Sequence, residues 1–253
     1  LWAIYHDPTY WREDFERAAA YVSEKADPGD TVVLESPIYF SLIDLLKQLK
    51  LKIIEIPTSD DEGISLETLR FVLDNHTVKA MFSIPNFNNP MGFTMPSWKK
   101  KKLVNLLAHR DVPLIEDDIY GDLCFGPRPE PCKVHDAKGE VILCSSFSKT
   151  IAPGLRVGWM LPGKYTDRIN RLKTLIKISN SPINQMVAAR FLKEGGYRKH
   201  MRRVRQKLQV QVEALRASVL KHFPAGTKVT RPDGGLFVWV ELPDGLDADL
   251  LYR

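Results

Sequence analysis

The sequence is poor in cysteine and has no long hydrophobic run. Only three of its 253 residues are cysteines, an odd number in a chain too large to depend on disulfides, which favours a reducing compartment. The most apolar stretches, 141–144 and 236–240, fall far below the roughly 18 residues that a membrane-spanning helix needs. The sequence has no cationic start followed by an apolar core and a small-residue cleavage site, which is the pattern of an export signal. We therefore predict a cytoplasmic protein.

Metal-ligand spacing is also lacking. Cys124, Cys132 and His135 are not spaced as C-x2-C or H-x3-H pairs, so we expect no metal site. The rest of the composition is that of a globular protein, with 44% hydrophobic and 26% charged residues. The net charge of +5 is compatible with an anionic ligand or nucleic acid but indicates neither.

Short β-rich runs alternate with helical patterns along most of the chain. A helix is predicted over 11–26, ahead of the break Asp27-Pro-Gly-Asp30. The predicted strands are Thr31–Glu35, Leu51–Ile56, Val78–Ile84, Val112–Ile115, Val141–Cys144 and Val157–Leu161. The helices predicted between them are Phe40–Leu49, Ser65–Leu73 and Pro96–Ala108. This alternation predicts an α/β fold in which a mostly parallel sheet is covered by helices on both faces.

The carboxyl-terminal part has a different pattern. Residues 165–222 are helical with breaks near Ser179–Pro182 and at Gly195-Gly196, and strands are predicted at 227–230 and 236–242. We predict three parts: an atypical helical segment 1–27, a large α/β domain 28–195, and, over 196–253, a long connecting helix with the start of a smaller α+β domain. Because the sequence stops inside a helical pattern, we expect a fragment of a longer protein.

Two basic clusters lie on predicted helices. They occupy residues 99–102 and 198–205. Because runs of like charge usually sit in water, we interpret both as solvent-exposed helix faces.

Three predicted strands end in polar residues, and ligands of open parallel sheets gather at such ends. Ile84 is followed by Pro-Asn-Phe-Asn-Asn-Pro-Met-Gly, and Ile115 by Glu-Asp-Asp-Ile-Tyr. Cys144 is followed by Ser-Ser-Phe-Ser-Lys149, with Arg156 seven residues further on. A lysine near an arginine tends to lose its proton, and a neutral amine is the nucleophile that forms Schiff bases. The hydroxyls and the guanidinium suit a phosphate.

The ordered motifs are similar to those of fold-type I, pyridoxal-phosphate-dependent aminotransferases of class I/II. The matching residues are Asn89-Pro-x-Gly92, Asp117-x-x-Tyr120 and Ser146-x-Ser148-Lys149, followed by Arg156. The resemblance covers about residues 27–242 and implies the aspartate-aminotransferase-like fold. It also implies amino-group transfer between an amino acid and a 2-oxo acid through a lysine Schiff base.

The resemblance also implies a role for each matching residue. Lys149 would bond the pyridoxal 5'-phosphate and move protons, and Asp117 would pair with the pyridine nitrogen. Asn89 and Tyr120 would contact the phenolic oxygen. The phosphate contacts would come from Ser146, Ser148 and Arg156, and Tyr39 would stack on the cofactor ring. A homodimer with active sites near the interface is expected on the same grounds.

The amino-acid sequence around these motifs most resembles the aminotransferase-like domain of MocR regulators, a branch of the GntR transcription factors. In that branch the domain senses an effector with little turnover, and a preceding winged helix-turn-helix, which is absent from this sequence, binds DNA. Enzymes of the 2-aminoadipate and kynurenine aminotransferase group share most of the same letters, so both interpretations stay open.

An enzyme class with different chemistry shares one of these motifs. Ser146-x-x-Lys149 matches the S-x-x-K of penicillin-binding acyl enzymes, whose serine is the nucleophile. That class also needs S-D-N and K-T-G, and neither tripeptide occurs here. Acyl transfer is therefore not expected.

Two departures from the aminotransferase pattern stand out. The family has a glycine-containing turn that binds the cofactor phosphate, but no glycine precedes Gly29, and the aligned stretch 11–15 is acidic. The arginine that grips the substrate carboxylate is expected beyond Arg253. We therefore expect cofactor capture by Lys149 more than efficient turnover by this chain.

Overall fold

The fold is built on a seven-stranded sheet. A computed structural model describes residues 26–176 and 181–248 of the chain. The sheet has the order β3-β2-β1-β4-β5-β6-β7. Its strands are β1 (Thr31–Ser36), β2 (Lys52–Ser59), β3 (Gly63–Ile64), β4 (Val78–Ser83), β5 (Leu114–Asp117), β6 (Val141–Ser146) and β7 (Gly158–Leu161).

The central strands are parallel. β2, β1, β4, β5 and β6 pair in parallel, whereas β3 and β7 run antiparallel at the two edges. The predicted fold class, an α/β fold with a mostly parallel sheet, is confirmed. Because five adjacent strands point the same way, their carboxyl ends meet at one edge of the sheet, where the predicted site residues lie.

Six α-helices lie within the described residues. They are α1 (Phe40–Gln48), α2 (Leu66–Asn75), α3 (Ser97–Ala108), α4 (Thr166–Ile176), α5 (Pro182–Lys193) and α6 (Gly196–His222). The helix predicted at 65–73 begins as its sequence suggests, since the Ser65 side chain accepts a hydrogen bond from the Thr68 amide at 3.2 Å. The break predicted at Gly195-Gly196 falls between α5 and α6, where Gly195 adopts a φ of 73°.

Both faces of the sheet are buried in separate cores. Val32 and Leu34 of β1 pack in one core with Leu42 of α1, while Val33 faces the other with Leu103 of α3. Alternate residues of one strand point to opposite faces, so two covered faces explain why β1 is apolar at three consecutive positions, 32–34. All three cysteines are buried free thiols.

The two strands of the carboxyl-terminal part are shorter than predicted. β8 (Lys228–Val229) and β9 (Val240–Glu241) form a two-stranded antiparallel pair, against the predicted 227–230 and 236–242. The intervening Gly234 and Gly235 lie against the side chain of Phe87, where an added Cβ would approach within 2.5 Å of its ring and 2.7 Å of its Cβ. The division at residues 28, 195 and 196 stays a prediction.

Some of the sequence-based expectations concern residues that the structure does not describe. The helix predicted at 11–26 lies almost wholly outside the described residues, as does the acidic stretch 11–15. Within residues 26–176 and 181–248, no helix is both long and apolar enough to cross a membrane.

Candidate active site at the carboxyl edge of the sheet

Two neighbouring strands bring Asp117 to the start of the Lys149 loop. In the β5–β6 ladder Asp117 pairs with Cys144, and the chain continues through Ser145 and Ser146 toward Lys149. The strand predicted at 112–115 instead spans Leu114–Asp117, so Asp117 is its last residue rather than lying beyond it. β5 extends to Asp117 because its parallel pairing with β6 continues as far as that residue.

Lys149 lies in a loop held by main-chain hydrogen bonds. The Phe147 amide donates to the Val157 carbonyl at 2.9 Å, and the Ile151 amide donates to the Phe147 carbonyl at 2.8 Å. Burial lowers the pKa of the Lys149 ammonium to about 7, Asp117 opposes that shift, and Arg156 adds to it. A substantial fraction of this amine is therefore neutral near pH 7, as a nucleophile requires.

Asp117 is a buried carboxylate at the last residue of β5. Its Oδ1 accepts a hydrogen bond from the Ile119 amide at 3.0 Å, which fixes the carboxylate at the strand end. Desolvation raises the pKa of the buried Tyr39 phenol, and the negative charge of Asp117 adds to the rise. Tyr39, Asp117 and Lys149 therefore share one electrostatic environment.

The Asn89 amide reaches the Tyr120 hydroxyl. The Nδ2–OH distance is 3.4 Å, and both side chains are buried. The Tyr120 ring also packs edge-on against Phe237, with centroids 5.3 Å apart. The turn that presents Asn89 ends at Gly92, whose φ is 78° and whose missing Cβ would lie 2.9 Å from the Phe237 carbonyl. A glycine is required there for both reasons.

The residues matched to phosphate binding follow β6. Ser146 is buried, and its Oγ accepts a hydrogen bond from the Ser148 amide at 3.3 Å. Arg156 has a left-handed backbone with a φ of 49° and lies close enough to Lys149 to lower its pKa. The structure thus brings the sequence-predicted residues to one edge of the sheet.

A buried glutamate beneath the site was missed by the sequence analysis. Glu35, at the end of β1, is fully buried, and its Oε1 accepts from the Ile84 amide at 2.6 Å and from Asn88 Nδ2 at 2.8 Å. Its Oε2 accepts from the Ser83 hydroxyl at 2.9 Å. Glu35 therefore holds the 84–92 turn that carries Asn89. A lone charge in an otherwise apolar strand was the signal.

The two acids that flank Asp117 are buried and accept hydrogen bonds from neighbouring segments of the chain. Glu116 is buried and accepts hydrogen bonds from the Cys132 and Lys133 amides at 2.6 and 2.9 Å. Asp118 is buried as well, and it pairs with Arg128 and with the Asn86 amide. Desolvation raises the pKa of Glu116 to about 7.

The basic cluster at 99–102 is not wholly solvated, which corrects its interpretation as an exposed face. Lys100 is 1% exposed, and its Nζ donates to Asn86 Oδ1 at 2.6 Å and to the Glu130 carbonyl at 2.8 Å. Lys99 is also buried. A buried amine is tolerated here because these acceptors replace water.

Helix α6 supports the Lys149 loop. His200 Nε2 lies 2.8 Å from the carbonyl of Thr150, the residue after Lys149. The Tyr197 hydroxyl donates to Asp122 Oδ2 at 2.5 Å, which ties α6 to the segment that follows Tyr120. Two elements that border the site are thereby fixed to one helix.

Comparison with known proteins identifies the family. The family model for aminotransferase class I and II matches residues 17–252. The chain is 43% identical over 227 residues to the uncharacterized HTH-type transcriptional regulator YjiR of Escherichia coli, a match covering 89% of this chain and 48% of YjiR. The chain spans about half the length of the curated relatives it matches. The predicted resemblance to both regulators and enzymes is confirmed.

Solved structures agree. The kynurenine aminotransferase of Pyrococcus horikoshii superposes with a TM-score of 0.87 at 32% identity, covering 94% of this chain and 60% of that enzyme. LysN, the alpha-aminoadipate aminotransferase of Thermus thermophilus, complexed with N-(5'-phosphopyridoxyl)-L-leucine, gives 0.86 at 30% identity, with 94% and 62% covered. From the matched model and these relatives together, the chain belongs to the class I and II aminotransferase family.

Proposed function

We propose that the chain is the pyridoxal-phosphate-binding domain of an aminotransferase-type protein that transfers an amino group between an amino acid and a 2-oxo acid. The observation that carries the proposal is the environment of Lys149. Its amine has a pKa of about 7 and interacts with a carboxylate on one strand end and a guanidinium in its own loop.

The donor set fits pyridoxal phosphate. A neutral Lys149 amine suits the aldehyde, and the Asp117 carboxylate suits a protonated pyridine nitrogen. The Asn89–Tyr120 pair offers donors to the phenolic oxygen. Hydroxyls and a guanidinium for the phosphate are supplied by Ser146, Ser148 and Arg156, and Tyr39 offers an aromatic face.

When bound, the cofactor supplies an electron sink that stabilises negative charge at the substrate Cα. The chain's own residues then hold and move protons. Asp117, kept in place by the Ile119 amide, would hold the proton on the pyridine nitrogen. Lys149, neutral in part near pH 7, would take the proton from the substrate Cα and deliver it to the carbon that had been the cofactor's aldehyde carbon, on the other side of the amino nitrogen.

The test is amino-group transfer by the full-length protein with pyridoxal phosphate, an amino acid and a 2-oxo acid. Lys149→Ala is expected to lower the transfer rate by a factor of 1,000 or more, on the order of what removal of a central catalytic group costs. The matched control is Lys173→Ala on the exposed face of α4, with an unchanged rate. Equal rates for Lys149→Ala and wild type would contradict the proposal.

A second candidate function is favoured by the 43% identity to a transcriptional regulator. In that case the domain senses an amino acid through the same lysine, and DNA is bound by a separate winged-helix domain. The sensing function predicts a spectral change on effector addition without sustained production of 2-oxo acid. Steady production from several amino acids by the full-length protein would exclude it.

Assembly, compartment and domain division are part of the proposal. A homodimer is supported by exposed apolar side chains on α5, where Ile183 and Met186 are 72% and 70% exposed and Val187 is 51% exposed. Three buried free cysteines favour the cytoplasm. We keep 28–195 as the cofactor domain and 196–253 as the start of the second domain.

A further inference from the structure

A groove runs beside the amino-terminal half of α6. It consists of two adjoining cavities of about 330 and 500 Å³, which share Phe125, Gly126 and Gln209 as walls. We call this feature the α6 groove. Each cavity is in the size range of small-molecule sites. None of the residues assigned to the cofactor lines it.

The smaller cavity is strongly basic. It is lined by Arg198, Arg202 and Arg205, whose spacing of four and three residues places them on one face of the helix. Arg205 is anchored, because its Nε donates to the Asp122 carbonyl at 2.7 Å. Arg198 and Arg202 form no ion pair or hydrogen bond with any described residue. Two uncompensated guanidiniums therefore face the cavity beside a third.

The position of these arginines on the helix makes the site more favourable for an anion. Arg198 lies in the first turn of the 27-residue α6, which has no acidic residue there and no side-chain cap at Gly195. The amino end of a helix carries partial positive charge, so an arginine there is unfavourable unless an anion is bound. The amino end of α6 and its arginine side chains therefore both attract an anion.

The larger cavity is mainly apolar. Phe87 and Phe125 present rings, and Pro127 and Pro129 add rigid apolar walls. Thr94, Gln209 and the exposed Asp233 supply the polar atoms at its rim. A ligand that spans both cavities therefore needs an anionic group at one end and a flat apolar group at the other.

We propose that the α6 groove is a second ligand site, which binds a small aromatic phosphate. Arginine binds phosphate oxygens in pairs, and three guanidiniums match a dianion better than a single carboxylate. The groove is concave and its cavities are in the size range of small-molecule sites, which favours a small molecule over the ridge of phosphates on a DNA duplex.

The test is a calorimetric titration of the full chain with phenyl phosphate, after the chain has been loaded with pyridoxal phosphate and the unbound excess, itself an aromatic phosphate, has been removed by desalting. One saturable site is expected. Arg198→Ala/Arg202→Ala should weaken binding at least tenfold, because both charge-assisted contacts are lost. The control Arg203→Ala/Lys207→Ala removes the same charge from another face of α6 and should change binding less than twofold. Matching thermal unfolding of the two variants checks that both are folded.

Further probes decide between the alternatives. Inorganic phosphate, which lacks the ring, should bind at least tenfold more weakly than phenyl phosphate, and equal binding would overturn the aromatic part of the proposal. Loss of phenyl phosphate binding in Arg156→Ala, with no loss in Arg198→Ala/Arg202→Ala, would place the ligand at the cofactor phosphate instead. Absent phenyl phosphate binding, or binding of a DNA duplex alone through these arginines, would overturn the site.

Discussion

At the scale of single residues, the chemistry depends on a lysine with two charged neighbours of opposite sign. Burial dominates the shift in the Lys149 pKa, Asp117 stabilises the ammonium, and Arg156 destabilises it. The balance leaves the amine close to half protonated near pH 7. Each neighbour can therefore be changed separately, and the direction of its effect follows from its charge.

The first prediction concerns pH. The rate at which Lys149 reacts with pyridoxal, which lacks the phosphate, should rise with pH through a midpoint near 7, because only the neutral amine reacts. Asp117→Asn should move that midpoint down and Arg156→Gln should move it up, as followed by absorbance in stopped flow. A midpoint near 10 in the wild type, or shifts of the opposite sign, would contradict the described environment.

Local sequence predicted these reacting residues because each lies within a short motif at a strand end. The supporting residues were harder to predict, because their burial depends on contacts made far along the chain. Lys100 lies in a run of lysines typical of a solvated face, and only the packing of α3 against the 130–135 segment buries its amine. Glu35 likewise meets its partners 48 to 53 residues away.

At the scale of elements, Glu35 links β1 to the turn after β4. Glu35→Ala leaves the Ile84 amide, the Ser83 hydroxyl and the Asn88 amide without their acceptor, and should lower the free energy of unfolding by about 3 kcal/mol. Glu35→Gln keeps an oxygen for two of these donors and should cost about 1 kcal/mol. Urea unfolding measures both, and equal losses would contradict the acceptor role.

The same glutamate affects the pH dependence of stability. Burial raises the Glu35 pKa from 4.5 to about 7, so the folded state binds more protons between these values. Its contribution is complete below pH 4.5 and is lost as the pH rises through 7. Glu35→Gln should therefore flatten the fall in stability over this window, with part of the remaining slope coming from Glu116 and Asp118, whose pKa values burial also raises. An unchanged slope would show that Glu35 does not titrate there.

The hydrogen bond from Tyr197 to Asp122 ties helix α6 to the segment that follows Tyr120. Tyr197→Phe removes the hydrogen bond to Asp122 and should cost about 1 kcal/mol of stability while also weakening retention of pyridoxal phosphate. The control Tyr165→Phe removes a hydrogen bond to Glu140, away from the Lys149 loop, and should leave retention unchanged. Urea unfolding and absorbance after desalting measure the two effects. Equal retention in both variants would contradict the support that we assign to α6.

At the scale of the whole molecule, the apolar side chains of α5 predict self-association. Met186→Glu places a charge within that surface and should shift the chain from 57.8 kDa, twice 28.9 kDa, toward the monomer mass in sedimentation equilibrium. Val210→Glu on α6 is the control, because Val210 is equally exposed at 70% but lies elsewhere. A monomeric wild type, or the same shift in both variants, would contradict a dimer through α5.

The central claim is that Lys149 is the residue that bonds the cofactor, and borohydride trapping tests it most directly. The chain is incubated with pyridoxal phosphate, reduced with borohydride, digested and analysed by mass spectrometry. The account predicts one stoichiometric adduct on the peptide that contains Lys149, and no such adduct in Lys149→Ala. A stoichiometric adduct on another lysine, or only trace labelling spread over several lysines, would contradict it.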